Sequence, residues 1–172
     1  MNEITRTDII NKICDKYKIR TYLEIGVRVP SENFDKINVE NKESVDPSPM
    51  GVCDYVMTSD EFFLNHVKNK KYDLIFVDGL HTNEQSYVDY LKTRGAWNGT
   101  VYKAFIRLKR ELINWSCFVI NEDWGCSVLT KRNLLKNIRS NININDLSWE
   151  EFDKNREELL QLITFEDFLN II

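Results

Sequence analysis

Asp73-Leu74-Ile75-Phe76-Val77-Asp78 decides the fold. Four consecutive apolar residues between two acids show no alternation, so both faces of this strand need cover. Such a strand is expected at the centre of a parallel sheet, with helices packed on both sides. Upstream, residues 21–25 form a short strand pattern that stops at Gly26. Ser44-Val45 runs into Asp46-Pro47 as a second strand, and residues 54–57 read as a third. Before the first strand, Ile9, Ile10, Ile13 and Tyr17 fall on one helical face that Thr5 or Thr7 can cap. Pro30 and Ser31 suit a helix start after Gly26.

Thr58-Ser59-Asp60-Glu61 is a capping box before a short helix carrying Phe62, Phe63 and Val67. Downstream of Asp78, residues 81–92 are polar and helix-compatible. An amphipathic helix then places Val101, Ala104, Phe105, Leu108 and Leu112 on one face. Cys117-Phe118-Val119-Ile120 is a strand, and residues 124–129 are close enough to pair with it as a hairpin. Ser148-Trp149-Glu150-Glu151 is another capping box, with Trp149, Phe152, Leu159 and Ile163 expected inward. The expectation is a single domain over residues 1–172 with a helical tail from about residue 131. The class is α/β: a Rossmann-like, doubly wound, mostly parallel sheet in three layers, with an antiparallel edge strand.

The 172 residues carry 23 Lys and Arg against 27 Asp and Glu, a formal net charge of −4. That balance argues against a nucleic-acid or anionic-membrane binder, because both need a basic face. A hydrophobic share of 42% is enough for a packed core. Neither a membrane span nor a signal peptide is legible, so a cytoplasmic location is expected. Cys14, Cys53, Cys117 and Cys126 form no C-x-x-C pair and read as small apolar residues. With His66 and His81 as the only histidines, a three-His metal site within the chain is excluded. His66 reads as structural.

Open parallel sheets bind ligands outside the carboxyl ends of their strands. Gly26 either lets a ligand approach the backbone or simply turns the chain. Asp46 lies 20 positions beyond Gly26, the separation at which an acid accepts hydrogen bonds from ribose hydroxyls. Asp60 favours the positive end of its own helix or lies near an adenine ring. Asp78 is placed to hold a divalent cation or to orient a reacting hydroxyl, and otherwise caps the next helix. His81 is a general-base candidate near neutral pH, or a surface residue of that helix.

Six blocks in order resemble class I S-adenosylmethionine-dependent methyltransferases, and most of all a small bacterial branch, methyltransferase family 24. They are Tyr22-Leu23-Glu24-Ile25-Gly26-Val27-Arg28, Ser44-Val45-Asp46-Pro47, Thr58-Ser59-Asp60-Glu61-Phe62-Phe63, Ile75-Phe76-Val77-Asp78-Gly79-Leu80-His81, residues 97–105, and Asp123-Trp124-Gly125-Cys126. The resemblance implies that Glu24 and Gly26 contact the methionine end of the cofactor, that Asp46 takes the ribose hydroxyls, and that Ser59 and Asp60 lie near adenine. It places Asp78 where related metal-dependent O-methyltransferases keep an acidic ligand for a cation such as Mg, and His81 on the substrate side. The implied acceptor is a small-molecule or sugar hydroxyl.

The sequence departs from that family in one place. The family has seven strands; six candidates are found here, and the polar stretch near Lys92–Gly95 stands where the fifth is expected. Either a strand and loop are omitted there, or the protein is naturally deleted and inactive. A non-catalytic nucleotide- or partner-binding module is therefore the alternative to an enzyme. A nicotinamide-dependent oxidoreductase is weaker, since a single Gly gives the pyrophosphate no close turn.

Overall fold

The computed structural model describes residues 3–67, 70–78, 102–123, 125–138 and 147–172. They form a mixed α/β structure with two small open sheets, one of them parallel.

Helix α1 (Arg6–Tyr17) begins with a capping box in which Thr5 and Asp8 satisfy each other's backbone N–H groups. The parallel sheet follows the order β2-β1-β3, from β1 (Thr21–Ile25), β2 (Asn41–Val45) and β3 (Leu74–Val77). Tyr55 adds one isolated parallel bridge to Val45. The third strand expected over residues 54–57 goes no further. The Asp54 carboxylate takes the Ser44 N–H at 2.8 Å, a donor that a longer ladder would use. Helix α2 (Ser59–Asn65) starts at the expected Thr58–Glu61 box and sends Phe62 fully inward. His66 ends it as a structural residue, its ring stacked on Phe62 with centroids 6.1 Å apart.

The second sheet has the order β5-β4-β6, from β4 (Ser116–Ile120), β5 (Cys126–Thr130) and β6 (Leu162–Ile163). The β4–β5 pair is the expected antiparallel hairpin. The tail is less uniformly helical than its pattern predicts. After α3 (Tyr102–Glu111), helix α4 (Trp149–Leu160) ends at Gln161 in the left-handed region, φ 53°. The chain then turns Leu162 and Ile163 alongside Val119 and Ile120 before α5 (Phe165–Ile171). Ile163 is thus a strand residue rather than part of the helix. The helix expected after Gly26 is also replaced, by two 3-10 turns, Pro30–Glu32 and Phe34–Lys36.

Packing joins the two sheets, although among the described residues no ladder does. Ile25, Val45 and Ile75 share one cluster with Val119 and Leu129 of the second sheet, under Phe62, Phe105 and Leu108. Helix α1 serves both: Ile10 packs with Tyr22 and Phe76, and Ile9 with Phe118 and Val128. All four β3 residues are buried, as their apolar run requires. Yet β3 is not central among the described residues; β1 is. Residues of β3 (Leu74, Ile75, Phe76) and of β5 (Cys126, Ser127, Val128) line a narrow space of about 30 Å³ that α1 also closes through Arg6, Ile9, Ile10 and Ile13. Among the described residues no strand lies between β3 and β5. The junction at Lys92–Gly95 and the helix expected over residues 81–92 lie outside the described residues. Among the described residues no helix is long and apolar enough to cross a membrane. All four cysteines are free thiols, three of them buried.

Candidate functional site

The parallel register sets the site. Ile25 pairs with both Val45 and Val77, so the three strands end in one row. The row continues past the strands: Gly26 N–H donates to Val45 O at 2.8 Å, and Asp78 N–H donates to Ile25 O at 2.8 Å. Gly26, Asp46 and Asp78 therefore stand side by side at the carboxyl edge of the sheet.

Gly26 has φ 85°, and Arg28 is also left-handed at φ 45°. A bulky residue is strained there, and the Arg28 N–H donating to Asp46 Oδ2 at 2.8 Å helps to hold it. Asp46 Oδ1 accepts from Ser48 N–H at 2.7 Å. The Asp46 carboxylate thus ties the loops after β1 and β2 together, and the residue is only 7% exposed.

Beside this row lies a cavity of about 410 Å³, lined in part by Thr5, Thr7, Gly26, Val27 and Asn33. Its wall also carries five carboxylates, Asp8, Glu24, Glu32, Asp78 and Asp123, against two cations, Arg6 and Lys36. Glu24 is the most deeply set acid, 2% exposed. Its Oε2 accepts from Tyr22 Oη at 2.7 Å and Asn33 Nδ2 at 2.9 Å. Its Oε1 has no hydrogen bond among the described residues. Burial pushes the Glu24 carboxyl up to about 7, although the Tyr22 and Asn33 donors pull the other way. Asn33 is itself fixed, its Oδ1 accepting from Thr7 Oγ1 at 2.7 Å. That double engagement, at the break between the two 3-10 turns, accounts for Asn33 interrupting the expected helix.

The far rim is an ion cluster. The Arg6 backbone N–H and Nε both donate to Asp123 Oδ2, at 2.7 and 2.9 Å, and Nη1 bonds Asp78 Oδ2. Burial raises the Asp123 carboxyl, but the Arg6 donors more than offset it and leave it below the usual range.

The structure brings Glu24, Gly26 and Asp78 to one cavity. Asp46 sits in the same row but is not among the lining residues. Ser59 and Asp60 occupy the first turn of α2, past the Tyr55 bridge, and do not line the cavity either. His81 lies outside the described residues. A divalent cation needs several oxygen ligands. Among the described residues no three His, Cys, Asp or Glu side chains converge to hold one. The Asp78 carboxylate is engaged by a guanidinium, so the described residues do not fit a divalent cation.

Sequence reasoning missed Arg6, Tyr22, Asn33 and Asp123. Tyr22 left a signal, two positions before Glu24 and hence on the same strand face, and Asp123 opens one of the six blocks quoted above. Asn33 lies nine positions beyond Glu24, in the turns after β1, and Arg6 meets the site from α1.

No protein-family model and no curated protein matches this chain.

Proposed function

We propose that the chain is an S-adenosylmethionine-dependent methyltransferase of class I architecture, Rossmann-like and three-layered, acting on a small-molecule or sugar hydroxyl. One observation carries the reading: the cavity at the carboxyl ends of β1 and β3 has five carboxylates against two cations, and among the described residues Glu24 Oε1 has no hydrogen bond. A ligand bearing an ammonium and a sulfonium suits such a wall. The positive φ of Gly26 and the Asp46 row beside it add the turn and acid that the sequence blocks imply.

S-adenosylmethionine supplies a methyl group activated on a positively charged sulfur. Bound here, it would supply that methyl group to the acceptor oxygen, whose proton would pass to a base. Glu24 would hold the ammonium end, with Tyr22 and Asn33 fixing its carboxylate. Asp78 would orient the acceptor hydroxyl at the rim, and His81 is the residue the resemblance offers as base. Asp46 already accepts one backbone N–H on each oxygen, from Arg28 and Ser48, and would meet the ribose hydroxyls through its remaining lone pairs.

Calorimetry with S-adenosylhomocysteine tests this. Micromolar-range binding is expected, weakened at least tenfold by Gly26→Val or Asp46→Ala in preparations with wild-type circular dichroism. Absence of binding by the folded wild-type chain overturns the reading.

Among the described residues no strand joins β3 to β5, and this favours a second reading, a non-catalytic binding module on a degraded version of the same fold. Cofactor binding without turnover on any hydroxyl acceptor would select it.

A further inference from the structure

We propose that Arg6 is the built-in cation of this cavity, a positioning residue that takes the place of a divalent metal ion and fixes Asp78 and Asp123 at the rim. The sequence sets this up locally. Thr5 caps α1, so Arg6 is the first helical residue, and its backbone N–H is one of the donors a helix start leaves without an internal partner. Asp123 accepts that N–H at 2.7 Å and Nε at 2.9 Å, with a longer contact from Nη2 at 3.4 Å. Backbone and side chain are gripped by the same carboxylate, which leaves Nη1 bonded to Asp78.

The three residues come from separate segments: α1, the end of β3, and the turn between β4 and β5. Among the described residues the two sheets share no ladder, and Arg6 is a polar tie across their seam at the cavity. Its side chain is 30% exposed, so it faces solvent as well as its partners. A guanidinium stays charged throughout the working pH range, and here its pKa is raised further, with the Asp123 bond the largest cause. A divalent cation at Asp78 would have to displace Nη1 and then sit beside a fixed positive charge. Its oxygen ligands, at roughly 2.0–2.6 Å, would include Asp78 Oδ2 and Asp123 Oδ2, which the guanidinium already uses.

The inference concerns the same cavity as the methyltransferase reading, but its test needs no turnover. The probe is Mn²⁺ as the chloride, added to the full chain and followed by thermal unfolding. The wild type is expected to show no Mn²⁺-dependent rise in melting midpoint. Arg6→Ala is expected to melt lower without metal and to gain a rise with Mn²⁺, because the guanidinium no longer bonds Asp78 and Asp123 and water supplies the remaining oxygen ligands; adding Asp78→Asn should remove the gain. Arg6→Lys keeps a cation and should stay unresponsive.

A Mn²⁺ rise in the wild type that Asp78→Asn abolishes would overturn the proposal, and that comparison stands even if Arg6→Ala does not fold. A folded Arg6→Ala that gains no response would overturn it too. Loss of S-adenosylhomocysteine binding would sink the functional reading and leave these outcomes untouched.

Discussion

The Tyr22 hydroxyl donates to Glu24 Oε2 at 2.7 Å from two positions earlier on the same strand. Residues so spaced share a sheet face, so the bond follows from β1 being extended. The same face carries Phe34 against the Tyr22 ring, with centroids 6.4 Å apart. A carboxylate is thereby set in an apolar face and kept there by hydroxyl and amide donors rather than by a direct ion pair. Its charge state is the most sensitive property of the site.

Stability should therefore fall across the neutral range through Glu24. Burial raises its folded pKa to about 7 from an ordinary 4.5. Between those values the folded chain keeps a proton that the unfolded chain has released, so this contribution is full below pH 4.5 and is lost as pH rises through 7. The loss is on the order of 3 kcal/mol. Urea unfolding at pH 5 and pH 8 should show it in the wild type, with Glu24→Gln nearly flat after other groups are subtracted. Parallel curves for the two proteins would refute this. Asp8, Asp73 and Asp123, all held below the ordinary range, act at lower pH and do not confuse the window.

Lys109 should act with the opposite sign in alkali. It is 3% exposed, and its Nζ donates to Glu158 O at 3.3 Å and Leu159 O at 3.2 Å, capping the last turn of α4. Burial lowers its pKa to about 8 from 10.5. Over that interval the unfolded chain binds the extra proton, so stability gains from this residue as pH rises. Lys109→Met should abolish that component. The check is the difference between wild-type and variant urea midpoints at pH 7.5 and pH 10; a constant difference means the lysine is not titrating in a buried site.

What the sequence revealed was what it stores locally. The boxes at Thr58–Glu61 and Ser148–Glu151 need only an oxygen and a carboxylate three residues apart, and both form as expected. The continuous apolar run of β3 correctly predicts burial on both faces, yet burial does not say which edge is paired. The rim could not be read in advance. Arg6 and Asp123 are 117 positions apart, and nothing near either residue marks the pairing. Leu162–Ile163 becomes a strand because β4 offers a free edge just after the left-handed stop at Gln161, not because two residues carry a pattern.

Gly125 should be intolerant of a side chain. It sits at φ 98°, and an added Cβ would lie 3.3 Å from Val119 Cγ1. Gly125→Ala is expected to cost about 1–2 kcal/mol, from backbone strain and this tight contact. Urea unfolding at pH 7 measures it, and a loss below the experimental error would mean that the β4–β5 turn relaxes freely.

Asn33 should set how readily Glu24 ionises. Its Nδ2 donates to Glu24 Oε2 at 2.9 Å, a bond that favours the charged carboxylate, while Thr7 keeps the amide oriented. Asn33→Ala removes that donor and leaves Tyr22 alone on the same oxygen, so the titration midpoint of Glu24 should move above the wild-type value. Carbon-13 NMR of labelled glutamate, assigned with Glu24→Gln, reads the midpoint directly. A cationic ligand needs the ionised form, so S-adenosylhomocysteine binding, if it relies on Glu24, should weaken more at pH 6.5 than at pH 8.5 in this variant. A midpoint that does not move would show that Tyr22 and the remaining environment hold the charge without Asn33. A midpoint that rises with no pH-dependent change in binding would separate Glu24 from the ligand's ammonium group.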